Sequence, residues 1–368
     1  MVDIIMSKSL SVWGCKDYEG NMSSYDKSIE DNFIQDLHIN FWFIKSQGLY
    51  CFDFGLLFRK PRNQDIYEKG AICVFVPFKK RKKDIHDLSA YLCDNESLIT
   101  AVFNETFQKK ENIQPSFVKL HMTNKEPIIM NTQLDSDNGS IDKRLIVKER
   151  DDGTHLIFKI KECISNEKSL EHYIRFRFFI DNSELSEIVR SFTPKDTFLK
   201  SNLENTDIVD FRVNEQRNLP KGISSLLSDA ICTPIKYHFF IIRDMYDDFS
   251  SIGQNYIGCR ILETETWRNY FYEGKRIGKD DPMIYHWKYK FTDMENRVNV
   301  FSAIAKFKSN STRLKKILAF IFYGVSLSIL IKTIPNDTSI FSKISFIASI
   351  IYVLIIGFLY FINCRSKK

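Results

Sequence analysis

Four stretches carry residue types at spacings that could do chemistry. The first is His286-Trp287-Lys288-Tyr289-Lys290-Phe291-Thr292-Asp293, an imidazole, an ammonium and a carboxylate in the order H-x-K-x-x-x-x-D. The second is the basic run Lys79-Lys80-Arg81-Lys82-Lys83, directly after an apolar segment. It suits anionic lipid or a nucleic-acid backbone, or it is a solvated turn. The third is Arg212-Val213-Asn214-Glu215-Gln216-Arg217, where Arg212 and Arg217 could grip a phosphate or a peptide carboxylate, or pair with neighbouring acids. The fourth is Asp244, Asp247 and Asp248, a carboxylate set for a divalent cation or a plain turn.

The first stretch resembles the motif of phospholipase D-like enzymes. The resemblance implies His286 as nucleophile on phosphorus and Lys288 as phosphate ligand, with Asp293 closing the motif. Those enzymes assemble two such motifs, and here no other histidine is followed by x-Lys; the usual Gly-Ser-x-Asn element is also missing. The competing reading is a strand with His286, Lys288 and Lys290 facing solvent and Trp287, Tyr289 and Phe291 facing the core. The seven histidines (38, 86, 121, 155, 172, 238 and 286) include no i, i+4 pair and no HExxH. No metal and no cofactor are therefore expected. A Walker A loop, a G-x-S-x-G elbow and a G-x-G-x-x-G turn are all missing.

The elements that must position these residues are mostly strands. Aromatic-rich runs at 37–44 and 50–58, joined by Ser46-Gln47-Gly48, predict a hairpin. Runs at 71–78, 116–121 and 173–180 predict further strands, and 144–148 with 155–161 predict a hairpin around Asp151-Asp152-Gly153. Later strands are expected at 208–213, 235–242 and 283–291. Helices are expected within 84–107 and 183–203, at 222–231 and over 264–272. Met294, Val298, Phe301 and Ala305 fall on one helical stripe, so 293–307 reads as an amphipathic helix. The eight cysteines show no tight pairing, which fits a reducing compartment.

Charge is unevenly placed. Residues 306–368 hold ten Lys or Arg and one acid, a net of +9 that leaves about −3 on the preceding 305 residues. The basic balance is thus no sign of nucleic-acid binding by the larger part, and direct nucleic-acid binding is not expected. The same C-terminal region has uncharged runs at Ile317–Ile331 and Ile344–Cys364, separated by a polar turn at Pro335. A membrane-crossing helix needs about 17–25 apolar residues. The expected fold class is α+β, a strand-rich cytosolic region with a few helices, followed by a transmembrane helical hairpin over about 317–334 and 344–364. The expected divisions are 1–195, 206–305, either a second block or one domain with the first, and 306–368.

Lys306, Lys308, Arg313, Lys315 and Lys316 before the first span, and Arg365, Lys367 and Lys368 after the second, predict contact with anionic lipid. They also place both termini in the cytoplasm of a multi-pass membrane protein. Gly324 with Ser328, and Ser345 with Ser349, are small-xxx-small pairs suited to close helix packing.

This layout resembles the two-transmembrane-helix effectors of bacterial anti-phage defence. The resemblance implies a cytosolic domain that binds a trigger, either a nucleotide signal or a sensor protein such as a short prokaryotic Argonaute. It also implies homo-oligomers that depolarise or disrupt the membrane. A tethered adaptor whose hairpin only anchors, and an anchored phosphodiesterase or lipase using His286, are the alternatives.

Overall fold

The computed structural model describes residues 8–18, 31–134, 144–167, 171–192, 204–251, 256–267, 270–271, 281–292 and 298–310, with single positions or short groups between 324 and 352. Two compact units are distinguished. Unit 1 is Met1–Ser191 with Asp207–Phe307, and unit 2 is Phe192–Thr206 with Lys308–Lys368.

Unit 1 is built on strands. Its largest sheet has ten: β2 (Ile34–Ile44), β3 (Leu49–Arg59), β5 (His86–Asp87), β6 (Phe107–Gln114), β7 (Phe117–Met122), β8 (Ile128–Asn131), β11 (Glu171–Phe179), β14 (Lys236–Arg243), β16 (Gly258–Ile261) and β17 (Met283–Lys290). Their order is β16-β17-β14-β2-β3-β11-β8-β7-β6, with β5 paired to β11. The β14–β2 and β11–β8 pairings are parallel, while β2–β3, β3–β11 and β14–β17 are antiparallel. A second sheet runs β1 (Ser11–Cys15), β4 (Ala71–Val76), β10 (Gly153–Lys159), β9 (Leu145–Arg150). A third has the order β12 (Val189–Phe192), β13 (Glu204–Val213), β18 (Phe301–Asn310), β15 (Asp248–Ser251).

Side chains of a strand alternate between faces, so each row across the sheet belongs to one face. The row Trp287–Phe239–Ile39–Phe54–Phe176 crosses β17, β14, β2, β3 and β11 and is buried throughout. This aromatic face joins Val74 and Leu156 of the second sheet and Phe211, Ala303 and Phe307 of the third in one core. Phe211 stacks on Phe239 at 4.0 Å between ring centres, and Phe41 on Phe52 at 4.5 Å. Each such ring contributes about 1.5–3 kcal/mol by leaving water.

The opposite face is covered in part by helices. Helices α1 (Gln64–Lys69), α2 (Ser89–Cys93), α3 (Glu96–Phe103), α4 (Ile160–Cys163), α5 (Asn182–Leu185), α6 (Lys221–Ser228) and α7 (Thr264–Trp267) are all short. Asn95 starts α3 by accepting from the Leu98 amide at 3.2 Å, and Asn104 ends it in the left-handed conformation. Leu92, Leu98, Ile99 and Trp267 from these helices, with Leu88 just before α2, pack with Trp42 and Tyr173 in a second core.

Two expectations change. The C-terminal transmembrane hairpin is not seen, because among the described residues no helix is long and apolar enough to cross a membrane. The longest, α3 and α6, have eight residues each. Within 317–334 and 344–364 the described positions are 324, 325, 328, 346–348 and 350–352, all helical, and the remainder lies outside the described residues. The multi-pass membrane assignment and its topology therefore do not stand. The physical reason is that an uncharged run reports which residues avoid water; it fixes neither a continuous helix nor what covers it.

The second correction concerns 293–307. Residues 301–310 form β18, with Phe301, Ala303, Ala305 and Phe307 buried and Ser302 and Lys308 exposed. Phe301 and Ala305 are four apart, a spacing that fits a helical stripe and a strand face equally, since four is a multiple of two. Of the helix expected over 264–272, α7 covers Thr264–Trp267, while 268, 269 and 272 lie outside the described residues.

Candidate functional site

On the helix-covered face, three parallel rows of polar residues cross the same strands. Lys236, Asp36, Leu57 and Tyr173 form one, and His238, His38, Gly55 and Arg175 the next. His286, Phe240, Asn40, Asp53 and Arg177 form the third. The alternation that aims phenylalanines into the first core thus aims ionisable groups at the other face.

At the Asp53 end these groups are closed off. Arg177 donates to both Asp53 oxygens, at 2.5 and 2.9 Å, and the Trp42 indole donates to the same carboxylate at 2.8 Å. The Arg177 guanidinium also lies 3.9 Å from the Phe271 ring centre. Arg175 donates Nε to the Tyr270 hydroxyl at 2.7 Å and Nη1 to the Tyr173 hydroxyl at 2.9 Å. Burial works against the Arg175 charge, yet Tyr270, Tyr173 and Asp53 outweigh it and raise its pKa above the ordinary value.

At the other end the face opens into a cleft. His38 Nδ1 lies 3.2 Å from the Tyr173 hydroxyl, which links the two ends. His238 Nδ1 lies 3.1 Å from His286 Nε2, and the His38 and His238 rings meet edge to face at 4.8 Å. Lys236 donates to both Asp36 oxygens at 3.0 and 2.8 Å. One donor atom each from Asp36, His38 and His238 falls within 4.8 Å of the others. Gly55 makes the link possible. A Cβ at this position would overlap the Tyr173 hydroxyl, so only glycine lets that hydroxyl reach His38.

All three imidazoles are held neutral at pH 7. Burial pushes His38 well below its ordinary value, helped by His238, Arg175 and Lys236. His238 falls to about 3 through burial, then through His286 and Lys288. His286 falls to about 4 through burial and Lys288. Neutral imidazole has one nitrogen that donates and one that accepts, so in the His238–His286 contact one ring donates and the other accepts.

The cleft holds about 690 Å³ and adjoins a pocket of about 230 Å³; His38, Phe240, Arg260 and His286 line both. Its walls carry Arg59, Lys125, Lys236, Arg260 and Lys288 against Asp36, Glu126 and Glu171. Arg59 pairs with Glu171 and Lys236 with Asp36, each at 2.8 Å, and Arg260 pairs with Glu263 at 2.9 Å. Lys125 and Lys288 have no carboxylate partner among the described residues. α3 supplies the apolar wall through Ala101, Val102 and Phe103.

Of the residues singled out by sequence, His286 and Lys288 reach this cleft, while Asp293 lies outside the described residues. His286 faces the cleft in contact with His238 instead of open solvent; Trp287 is core and Tyr289 is 43% exposed. The basic run does not act as one patch. Lys80 is buried on Glu184 at 2.6 Å, Arg81 pairs with Asp84 at 3.1 Å, Lys82 is half-buried, and Lys79 and Lys83 are exposed. Arg212 is tied to Asp210 and Arg217 to Glu215, each at 2.8 Å. Asp247 pairs with Arg243, and Asp244 accepts from the Lys45 amide.

Lys306 and Lys308 stand on β18, and the Ser328 hydroxyl donates to the Gly324 carbonyl at 2.9 Å within helix. Arg313, Lys315, Lys316, Arg365, Lys367, Lys368, Ser345 and Ser349 lie outside the described residues.

Sequence reasoning missed Asp36, His38, His238 and Lys236. The signal lies in Asp36-x-His38 and Lys236-x-His238, i, i+2 spacings that share one strand face, whereas an i, i+4 spacing marks histidines that share a helix face. No family model and no curated protein matches the chain.

Proposed function

We propose that the chain is a binding protein for a phosphate-bearing small molecule of nucleotide size, held in the cleft between α3 and the polar rows of the large sheet. The observation that carries this reading is the surplus of cations on the cleft wall, with Lys125 and Lys288 lacking a carboxylate partner among the described residues. A cleft of about 690 Å³ suits a ligand of that size. Neutral histidines and the backbone of the rim add donors for phosphate oxygens, and Phe240 and Phe103 offer apolar surface to the rest of the ligand. This keeps the trigger-binding half of the expected effector and makes no use of a membrane.

The test is thermal melting and calorimetric titration with pyrophosphate, ATP and adenosine. Saturable stabilisation by the two phosphates but not by adenosine, lost in Lys125→Ala/Lys288→Ala, supports the reading. Equal response to adenosine, or phosphate binding that persists in the double variant, rejects it.

A second reading, phosphoester hydrolysis, is favoured by His286 lying beside His238 in the same cleft. It predicts turnover of a simple phosphodiester that His286→Ala abolishes while pyrophosphate still binds. Unchanged turnover in that variant would remove His286 from any such role.

A further inference from the structure

Asp36 and His38 alternate on β2, and His238 sits opposite His38 on β14, so a parallel strand pairing puts two imidazoles and a carboxylate on one face. His238 Nε2 already lies 3.9 Å from Asp36 Oδ2. Each histidine has its Nδ1 occupied: His38 by the Tyr173 hydroxyl and His238 by His286. That arrangement leaves both Nε2 atoms as the ligand positions. Metal-binding histidines characteristically have the second ring nitrogen held in this way, which fixes the ring and the tautomer.

We infer that Asp36, His38 and His238 form a binding site for a divalent transition-metal ion of the zinc class, with Tyr173 and His286 as supporting residues. Two imidazoles and one carboxylate are a borderline-soft set that favours zinc, cobalt or ferrous iron over magnesium or calcium. One donor atom from each residue lies within 4.8 Å of the others, and bonds of about 2.0–2.2 Å to a common ion would draw them closer together. In the tautomer the site requires, His38 Nδ1–H donates to the Tyr173 oxygen, which also accepts from Arg175. Three protein ligands leave at least one coordination position open to the cleft.

Lys236 is the obstacle, because it holds both oxygens of Asp36. An ionised carboxylate has about four lone-pair positions, so Asp36 can serve the ammonium and an ion together. The ammonium then weakens the metal by repulsion, and Lys236→Met should tighten it.

The inference goes beyond the anion-binding reading and does not depend on it, because the probe is the metal alone. The experiment strips the full chain with a chelator and titrates Co²⁺ in phosphate-free buffer, following the visible ligand-field absorption. One saturable equivalent is expected, displaced by Zn²⁺ and not by Mg²⁺. His238→Gln and Asp36→Asn should each weaken binding beyond the roughly 10–100-fold loss expected for His286→Ala. His121→Ala, away from the cleft, should change nothing. A wild-type chain that gives no saturable band overturns the site without reference to any variant. A band that survives in both His238→Gln and Asp36→Asn, each checked for folding by circular dichroism, also overturns it.

Discussion

Two polar clusters share one face of the same sheet, and they are built on opposite terms. In the cluster of Asp53, Arg175 and Arg177 the carboxylate is fully buried and bound by a bidentate guanidinium and an indole. In the cluster of Asp36, His38, His238 and Lys236 the groups are 15–28% exposed where they ion-pair. Removing charge from water costs several kcal/mol per ion, so a closed cluster persists only where its partners are well placed. The open cluster stays partly exposed on the cleft wall and keeps its spare donor atoms. The closed cluster is therefore framework, and the open one is where a ligand can be exchanged. Tyr173 joins them, its hydroxyl oxygen accepting from Arg175 on one side and meeting His38 Nδ1 on the other.

The largest effect should come from the closed cluster. Arg177→Met leaves the Asp53 charge with the Trp42 indole and only Arg175 at 3.8 Å. The expected loss is about 3–5 kcal/mol in urea denaturation, the cost of stranding a buried charge. Arg177→Met with Asp53→Leu should recover much of it, since the pair leaves together. A single-variant loss below about 1 kcal/mol would mean that the cluster is hydrated and that the contrast drawn above fails.

An ionisable group on the apolar face sharpens the comparison. His172 sits among aromatic residues beside Phe58, accepts from the Ser165 amide, and is driven down to about 4 by burial alone. Its folded pKa lies below the unfolded value of about 6.5, so the unfolded chain binds the proton first. Its effect is absent above about pH 6.5. As pH falls it destabilises progressively and reaches its full size, about 3 kcal/mol, below about pH 4. His172→Gln keeps an acceptor and removes the titration, so stability should fall less steeply between those limits. An unchanged slope would place the acid sensitivity elsewhere.

How much of this was legible depended on distance along the chain. The β2–β3 hairpin was readable because Gly48 supplies the left-handed turn residue between two aromatic runs. The β9–β10 hairpin was readable from Asp151-Asp152-Gly153. β18 was misread because its spacing suits both periods, and the C-terminal apolar runs were read as spans that the described residues do not show. The candidate site was half legible. His286 and Lys288 were found through a local motif, but Asp36 and Lys236 stand 200 positions apart and meet through a parallel pairing that no local pattern encodes. Arg212 on β13 and Arg217 in the turn that follows it have acids two residues away, which satisfy them locally.

Gly55→Ala acts on the seam between the clusters. The added methyl would overlap the Tyr173 hydroxyl and lies within reach of the His38 side chain. Overpacking of this kind costs about 1–3 kcal/mol. Its informative consequence is local, because Tyr173 must withdraw and release His38 Nδ1. Imidazole resonances of His38 should shift while those of His172 do not. Unmoved His38 resonances would show that the hydroxyl does not hold the ring.

The smallest stability effect should come from Lys236→Met. The pair with Asp36 is short, but Lys236 is 28% exposed and Asp36 16%, so water supports both charges when they separate. Pairs of this kind contribute about 0–1 kcal/mol, and the methionine keeps most of the packing of the lysine stem. Denaturation should therefore register little, while binding should register more. Loss of an ammonium at the cleft wall should weaken pyrophosphate, and release of Asp36 should tighten Co²⁺. Opposite responses of the two probes in one variant separate ligand chemistry from a general loss of structure, which would weaken both. A loss of several kcal/mol would instead place Lys236 with Arg177 among the framework residues and erase the distinction between the clusters.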